Sequence, residues 1–188
     1  DWSSDVCSSD LTALKLTKKN TNVQKHKKKL KIGNIYTKSI LSKNVIIDFK
    51  YINDNIKKTL ENEIKSNIEG KCIPEGYVKT DSCEIISYSS GLVHNGNNIK
   101  FEVVFKCSIC LPVEGMLIDC VAKNITKAGI KAEIDEDITP VIIFIARDHH
   151  FDNENFSSIN ENDKLTVRVI GHKFELNDKY ISVIASLT

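Results

Sequence analysis

Only one stretch of this chain carries a helical period, and nearly everything after it reads as strand. Between Tyr51 and Ile68 the residues Ile52, Ile56, Leu60, Ile64 and Ile68 recur at every fourth position, which sets them on one slowly drifting helix face. Such a stripe is core packing. Asp48 or Asn53 stands where it could cap the start of this helix, and Gly70 falls where a left-handed C-terminal cap belongs. One helix followed by many short β-branched runs points to a small α+β unit and then an all-β unit.

Ahead of the helix, Ile35 to Leu41 with Val45 to Ile47 predicts an opening strand and a following extended segment. After it, Gly76 to Ser87 reads as one strand, Ser89 to His94 as the approach to a turn, and Asn95-Gly96 as a hairpin signal. Ile99 to Leu111 alternates, with Phe101, Val103 and Phe105 on one face. Five more strand segments follow: Gly115–Ile125, Gly129–Ile134, Val141–Ile145, Leu165–Gly171 and Tyr180–Leu187. Their number and spacing fit a five-stranded OB-fold barrel. Gly129 stands where this barrel bends its second strand sharply, a position that favours a residue without a Cβ. The acidic run Asp135-Glu136-Asp137 between the second and third strands would repel phosphates locally.

The two ends of the chain differ in character. Asp1 to Leu11 reads as a translated sequencing-adapter oligonucleotide and is set aside as an assembly artefact. Residues 12–30 form a basic arm: Lys15, Lys18, Lys19, Lys25, Lys27, Lys28 and Lys29, continued by Lys31, come with no acidic residue among them. Such a block offers little to bury and repels itself, so it reads as a disordered tail or as an arm that touches nucleic acid through phosphates. The whole chain nonetheless carries a formal net charge of only +1. Its hydrophobic content of 41% suffices for ordinary cores, and no apolar run approaches membrane-spanning length. Leu11 to Leu16 is too short for a signal-peptide core. With Cys7 set aside, five cysteines remain, an odd number that suggests a reducing compartment and free thiols.

A succession of short motifs gives the arrangement a family likeness. Glu69-Gly-Lys-Cys72 at the helix end, Gly76-Tyr-Val78, Phe101-Glu-Val-Val-Phe-Lys106, Pro112-Val-Glu-Gly115 and the barrel pattern closing in Ala185-Ser-Leu187 follow one another in order. In that order and spacing the chain resembles the large stalk subunit of archaeal, eukaryotic and viral DNA-directed RNA polymerases, the subunit-seven family. The resemblance implies a polymerase-docking tip domain over 31–111 and an S1-type RNA-binding domain over 112–188, broken at Leu111 to Glu114 without a flexible linker. It implies a non-catalytic accessory subunit that acts in transcription, needs no cofactor, and wedges beneath the polymerase clamp. Its partners would be the polymerase core subunits, a smaller helical stalk subunit and single-stranded RNA, with no membrane. Its location would be intracellular: the nucleus, or a viral factory or virion. The docking loops carried over are Ile73-Pro74-Glu75-Gly76 and the turn containing Gly91, Leu92 and Val93, although the segment before Tyr77 is shorter than in the family.

OB barrels commonly bind single-stranded nucleic acid on the face of strands two and three, through aromatic platforms and a basic track. Most platforms are missing here, since S1 domains often carry aromatics or His where this chain has Ala128, Lys131 and Ala146. Phe144 remains as an RNA contact or as core. Lys123, Lys127, Lys131, Arg147, His149, Arg168, His172 and Lys173 are candidates for a diffuse basic track that would bind RNA without sequence preference.

Two other chemistries were weighed from the same residues. Cys107-Ser-Ile-Cys110 has a CxxC spacing that Cys72 and Cys83 could complete as a zinc site. The pair lies in a predicted strand without a Gly-rich knuckle, however, and the family carries a buried Phe at the Cys110 position, so these read as core cysteines and no metal is expected. His149-His150 with Asp152 and Glu154 looks like a ligand cluster, but adjacent side chains point apart. No phosphate loop, magnesium motif or nucleophile–base set supports an enzyme. A free-standing S1-type RNA-binding protein, and less so a zinc-stabilised interaction module, stay open as alternatives.

Overall fold

A computed structural model of the chain describes residues 35–136, 138–150, 156 and 158–188. The adapter-like segment, the basic arm, and Asp137, Asp152 and Glu154 lie outside the described residues. The described chain is mostly β, with one α-helix, a six-stranded antiparallel sheet and a closed five-strand barrel. No helix among the described residues is long and apolar enough to cross a membrane.

The sheet is organised on one strand. β6 (Asn98–Cys110) pairs along its full length with β1 (Tyr36–Asp48), from Tyr36 opposite Cys110 to Asp48 opposite Asn98. Its other edge is shared in turn by β3 (Gly76–Val78), β4 (Glu84–Tyr88) and β5 (Leu92–His94), and β2 (Cys72–Ile73) pairs beyond β3. The alternation of Phe101, Val103, Phe105, Cys107 and Ile109 puts all five on one buried face of β6. Helix α1 (Ile56–Ile68) lays Leu60, Ile64 and Ile68 into the same core. Each such side chain, fully buried, contributes about 1.5–3 kcal/mol.

Three local features depart from the sequence reading. The opening strand and the extended segment after it are one continuous strand. The helix starts at Ile56 rather than Tyr51, because Asp48 accepts the Lys50 N–H at 3.0 Å and caps a separate 3-10 turn over Phe49–Tyr51. Neither Asp48 nor Asn53 caps α1, whose N-terminal flank is Asn55. The stretch read as one strand from Gly76 to Ser87 is split by a turn in which Asp81 takes a φ of 53°. Glu69, just past α1, is the reason this turn is stable: its carboxylate accepts the N–H groups of Asp81, Ser82 and Cys83 at 3.0, 3.1 and 2.8 Å. Gly70 takes the expected left-handed conformation after the helix, with φ +70°.

Five strands close the barrel: β7 (Leu117–Ile125), β8 (Gly129–Glu133), β9 (Val141–Ala146), β10 (Lys164–Lys173) and β11 (Ile181–Leu187), within a few residues of the sequence reading. Their order around the barrel is β10-β11-β9-β8-β7, with β11 and β9 parallel and β10 closing onto β7. The barrel fits an OB-fold. Bulges in β7 near Lys123 and in β10 near Ile170 supply the added twist that closure needs.

Sheet and barrel meet without a gap between their cores. Cys72, Tyr77 and Cys110 are buried with Ile118, Val141 and Val169 of the barrel in one cluster. The β10–β11 loop also hydrogen-bonds β2, with Cys72 N–H donating to Asp178 O at 2.8 Å and Asn177 N–H to Cys72 O at 2.9 Å.

Gly129 is required by a close approach: a Cβ there would lie 2.3 Å from the Ile145 carbonyl oxygen. Both flanking strands pair with β8 and cannot withdraw. Gly129→Ala is therefore expected to lower stability by about 2 kcal/mol or more in urea unfolding. A loss below roughly 0.5 kcal/mol, the range of a neutral surface change, would contradict this reading.

Candidate nucleic-acid and protein interfaces

The barrel's outward face across β8, β9, β11 and β10 can be laid out from its register. Lys131 on β8 stands opposite Phe144 on β9, Phe144 opposite Ile184 on β11, and Ile184 opposite Gly171 on β10. Phe144 is 39% exposed and Ile184 49%, so the choice left open for Phe144 resolves to the surface. Its neighbours Ile143 and Ile145 point inward instead. Gly129 keeps space clear for the ring, since a Cβ there would lie 3.0 Å from Phe144 Cζ. On the flanking rows, Arg168 stands opposite Ser186 and Lys173 opposite Ser182. The face is an apolar centre of Phe144 and Ile184 with cations at its borders.

The expected basic track is thinner than the count of cations suggests. Lys131 ion-pairs with Glu133 at 2.9 Å. Arg147 is largely structural: its Nε donates to the Lys127 carbonyl at 2.9 Å, and its guanidinium lies 5.0 Å over the Phe156 ring. His172 stacks on Phe174. Lys123 stands in the β7 bulge, Lys127 in the β7–β8 turn and His149 in the short 3-10 turn after β9, all exposed. The structure thus brings Lys131 and Phe144 together and sets Arg168 and Lys173 across β11 from them.

The two docking segments carried over from the resemblance are not brought together. Gly76–Val78 pairs near Ile109 and Cys110, whereas Leu92 and Val93 pair with Lys100 and Ile99. Ten residues of β6 at about 3.4 Å each separate these positions by roughly 30 Å. Ile73, Pro74 and Glu75 line a groove with Leu41, Lys43 and Phe105, and Gly76 is buried where a Cβ would meet the Cys110 carbonyl at 2.5 Å. Gly91 similarly has no room for a side chain beside Phe101.

Val93 instead belongs to an apolar cluster at the end of the sheet far from the barrel, while Leu92, its exposed neighbour on β5, is turned to the other face of the sheet. Phe49 is 66% exposed and Val93 81%, and the two line one groove of about 670 Å³. Ile46 and Tyr51 are exposed nearby, lining an adjoining groove with Asp48 and Lys50. Phe49 N–H donates to Asn97 O at 2.7 Å and so fixes the 3-10 turn against the β5–β6 hairpin. Tyr51 was missed by the sequence reading because the helical period was started on it, and Phe49 because it falls between the extended segment and that helix.

His150 was also missed as a structural residue. It is buried, accepts the Leu187 N–H on Nε2 at 2.8 Å, and therefore carries its proton on Nδ1, which donates to Ala146 O at 2.9 Å. Stacked on Phe156, it ties the turn after β9 to the end of β11. His149 points to solvent, as adjacent side chains do. Cys107 and Cys110 likewise diverge, Cys107 into the core under α1 and Cys110 into the core shared with the barrel. They cannot hold one metal together, and burial raises the Cys110 thiol to about 12. Among the described residues no group of three or more ligating side chains could hold a metal ion.

The chain is similar in sequence to RNA polymerase subunits. No family model matches the chain. An RNA polymerase subunit of Acanthamoeba polyphaga mimivirus, L376, is 29% identical over 147 residues, 68% of this chain and 71% of that protein. The DNA-directed RNA polymerase II subunit 7 of Arabidopsis thaliana is 24% identical over 109 residues, 57% of this chain and 60% of its own length. The RNA polymerase II subunit RPB7 of Glycine max is 24% identical over 120 residues, 63% of this chain and 66% of its own length. The matches thus span just under two thirds of the plant relatives.

Fold and relatives define a class: a mostly β chain with an OB-fold barrel, related to subunits of DNA-directed RNA polymerases. Within that class the two plant relatives are RNA polymerase II subunit 7, and the chain is similar to them.

His150→Ala would leave the part-buried Leu187 N–H and Ala146 carbonyl without this partner. A loss of about 2–3 kcal/mol is expected from urea unfolding, with His149→Ala near zero as the paired control. Equal effects of the two substitutions would contradict the assignment.

Proposed function

We propose that this chain is a non-catalytic stalk subunit of a multisubunit DNA-directed RNA polymerase. The far apolar end of its sheet docks on the polymerase core near the clamp, and its S1-type barrel meets the emerging transcript. The observation that carries the reading is the separation of two unlike exposed surfaces at opposite ends of β6. Phe49, Tyr51 and Val93 offer an apolar contact suited to a protein pocket. Phe144 with Lys131, Arg168 and Lys173 offers a stacking ring bordered by phosphate-binding cations. The relatives' names supply the partner. An intracellular place follows from the reading, in the nucleus or in a viral factory. A smaller helical stalk subunit is a further partner of the complex.

An affinity pull-down from the source cells or infected host, with and without nuclease, tests the docking. The two largest polymerase subunits are expected in the nuclease-resistant fraction, and Phe49→Ser with Val93→Ser is expected to reduce their recovery at least about tenfold, as loss of a central apolar anchor does. Recovery of ribosomal material alone, lost on nuclease treatment, would replace this reading with the free-standing RNA-binder.

RNA contact is tested separately on the isolated chain. Phe144→Ala is expected to weaken single-stranded RNA binding by about 1–3 kcal/mol without changing its salt dependence. Arg168→Ala with Lys173→Ala is expected to flatten the salt dependence, since each phosphate contact contributes about 0.7 to that slope for a single strand. No change from either variant would remove this face from RNA binding.

A further inference from the structure

A pair of buried thiols has no part in either proposed interface. On one side of Cys83, Ser82 Oγ accepts the Ser108 N–H at 3.2 Å; on the other, Glu84 is in register with Lys106. These contacts bracket Cys83 and place it opposite Cys107 on β6. Residues directly opposed in an antiparallel ladder have Cα atoms about 4.5–5.5 Å apart, within the span of a disulfide. Both residues are buried in the core under α1, and their thiols hydrogen-bond to each other.

We propose that Cys83 and Cys107 are a redox pair that a small disulfide oxidant closes into an intramolecular bridge between the turn before β4 and the central strand β6. The hydrogen bond between the thiols holds the proton on Cys83, raising that thiol, and lowers Cys107 toward the thiolate. Opening of the turn admits the oxidant. The Cys107 thiolate attacks one sulfur of glutathione disulfide and expels one glutathione thiolate. Cys83 then loses its proton, attacks the Cys107 sulfur and expels the second glutathione as the S–S bond forms. The pair gives up two electrons and two protons, and the oxidant becomes two glutathione thiols.

The fold makes the bridge selective. Cys72 is in register with Tyr77, and Tyr77 with Cys110, so Cys72 and Cys110 are two strand spacings apart, roughly 9–10 Å, beyond disulfide reach. Cys120 lies in the barrel, its thiol directed to the Leu165 carbonyl. The turn that the bridge would pin is the one Glu69 already holds to the end of α1.

The test treats the full native chain with glutathione disulfide, caps free thiols by alkylation and maps the peptides by mass spectrometry. The expected product joins the Cys83 and Cys107 peptides at the cost of two hydrogens, reverts with dithiothreitol, and slows hydrogen exchange over Ser82 to Ile85. Cys107→Ser should abolish the link, while the mapping of the unaltered chain stands without any variant folding. Full alkylation of both residues after oxidation, persistent glutathione adducts in place of the bridge, or linkage of either cysteine to another partner would overturn the proposal.

Discussion

The structure depends on the pairing of β6 along both of its edges. One edge is matched residue for residue by β1, and the other is shared among three short strands that on their own would be too small to hold together. The same strand presents the face on which α1 packs, and it delivers Cys110 into the core shared with the barrel. Its length also sets the distance between the two exposed surfaces. A break in β6 would therefore affect the helix core, the join to the barrel and the spacing of the interfaces together.

The join is built from backbone as much as from side chains. The two-residue strand β2 pairs with β3 by one edge and meets the Asn177–Asp178 loop of the barrel by the other. Because these contacts are hydrogen bonds to main-chain groups beside a shared apolar cluster, they leave little room for a hinge at Pro112. Under the proposed function, a rigid join would hold the surface proposed to meet the transcript at a fixed distance from the surface proposed to dock.

Where side-chain periodicity is strong and local, the sequence reading matched the structure. The stripe Leu60, Ile64 and Ile68, the alternation through Phe101, Val103 and Phe105, and the five barrel strands are each imposed by burial of one face. Gly129 was legible for a similar reason, since strand sequences seldom place Gly where nothing demands it. The misses have a common cause, in that long-range contacts override local pattern. Glu69 closes a turn twelve to fourteen residues on, which divided what looked like a single strand. Tyr51 fits the edge of a helical pattern and Phe49 lies just before it, but the Asp48 cap and the Phe49–Asn97 hydrogen bond turn them out to solvent. The two docking segments carried over from the resemblance fall at opposite ends of β6, a separation that sequence order does not display. The cation count overstated the basic track because Glu133 and the Lys127 carbonyl engage two of its members.

The central claim is a division of labour between two ends of one rigid chain. Photo-cross-linking within a transcribing complex measures it directly, with a benzophenone side chain placed at Val93 in one preparation and at Lys131 in another. The account predicts that Val93 joins to polymerase protein and Lys131 to the nascent RNA, each with little of the other product. Cross-links to RNA from Val93, or to the polymerase core alone from Lys131, would contradict it.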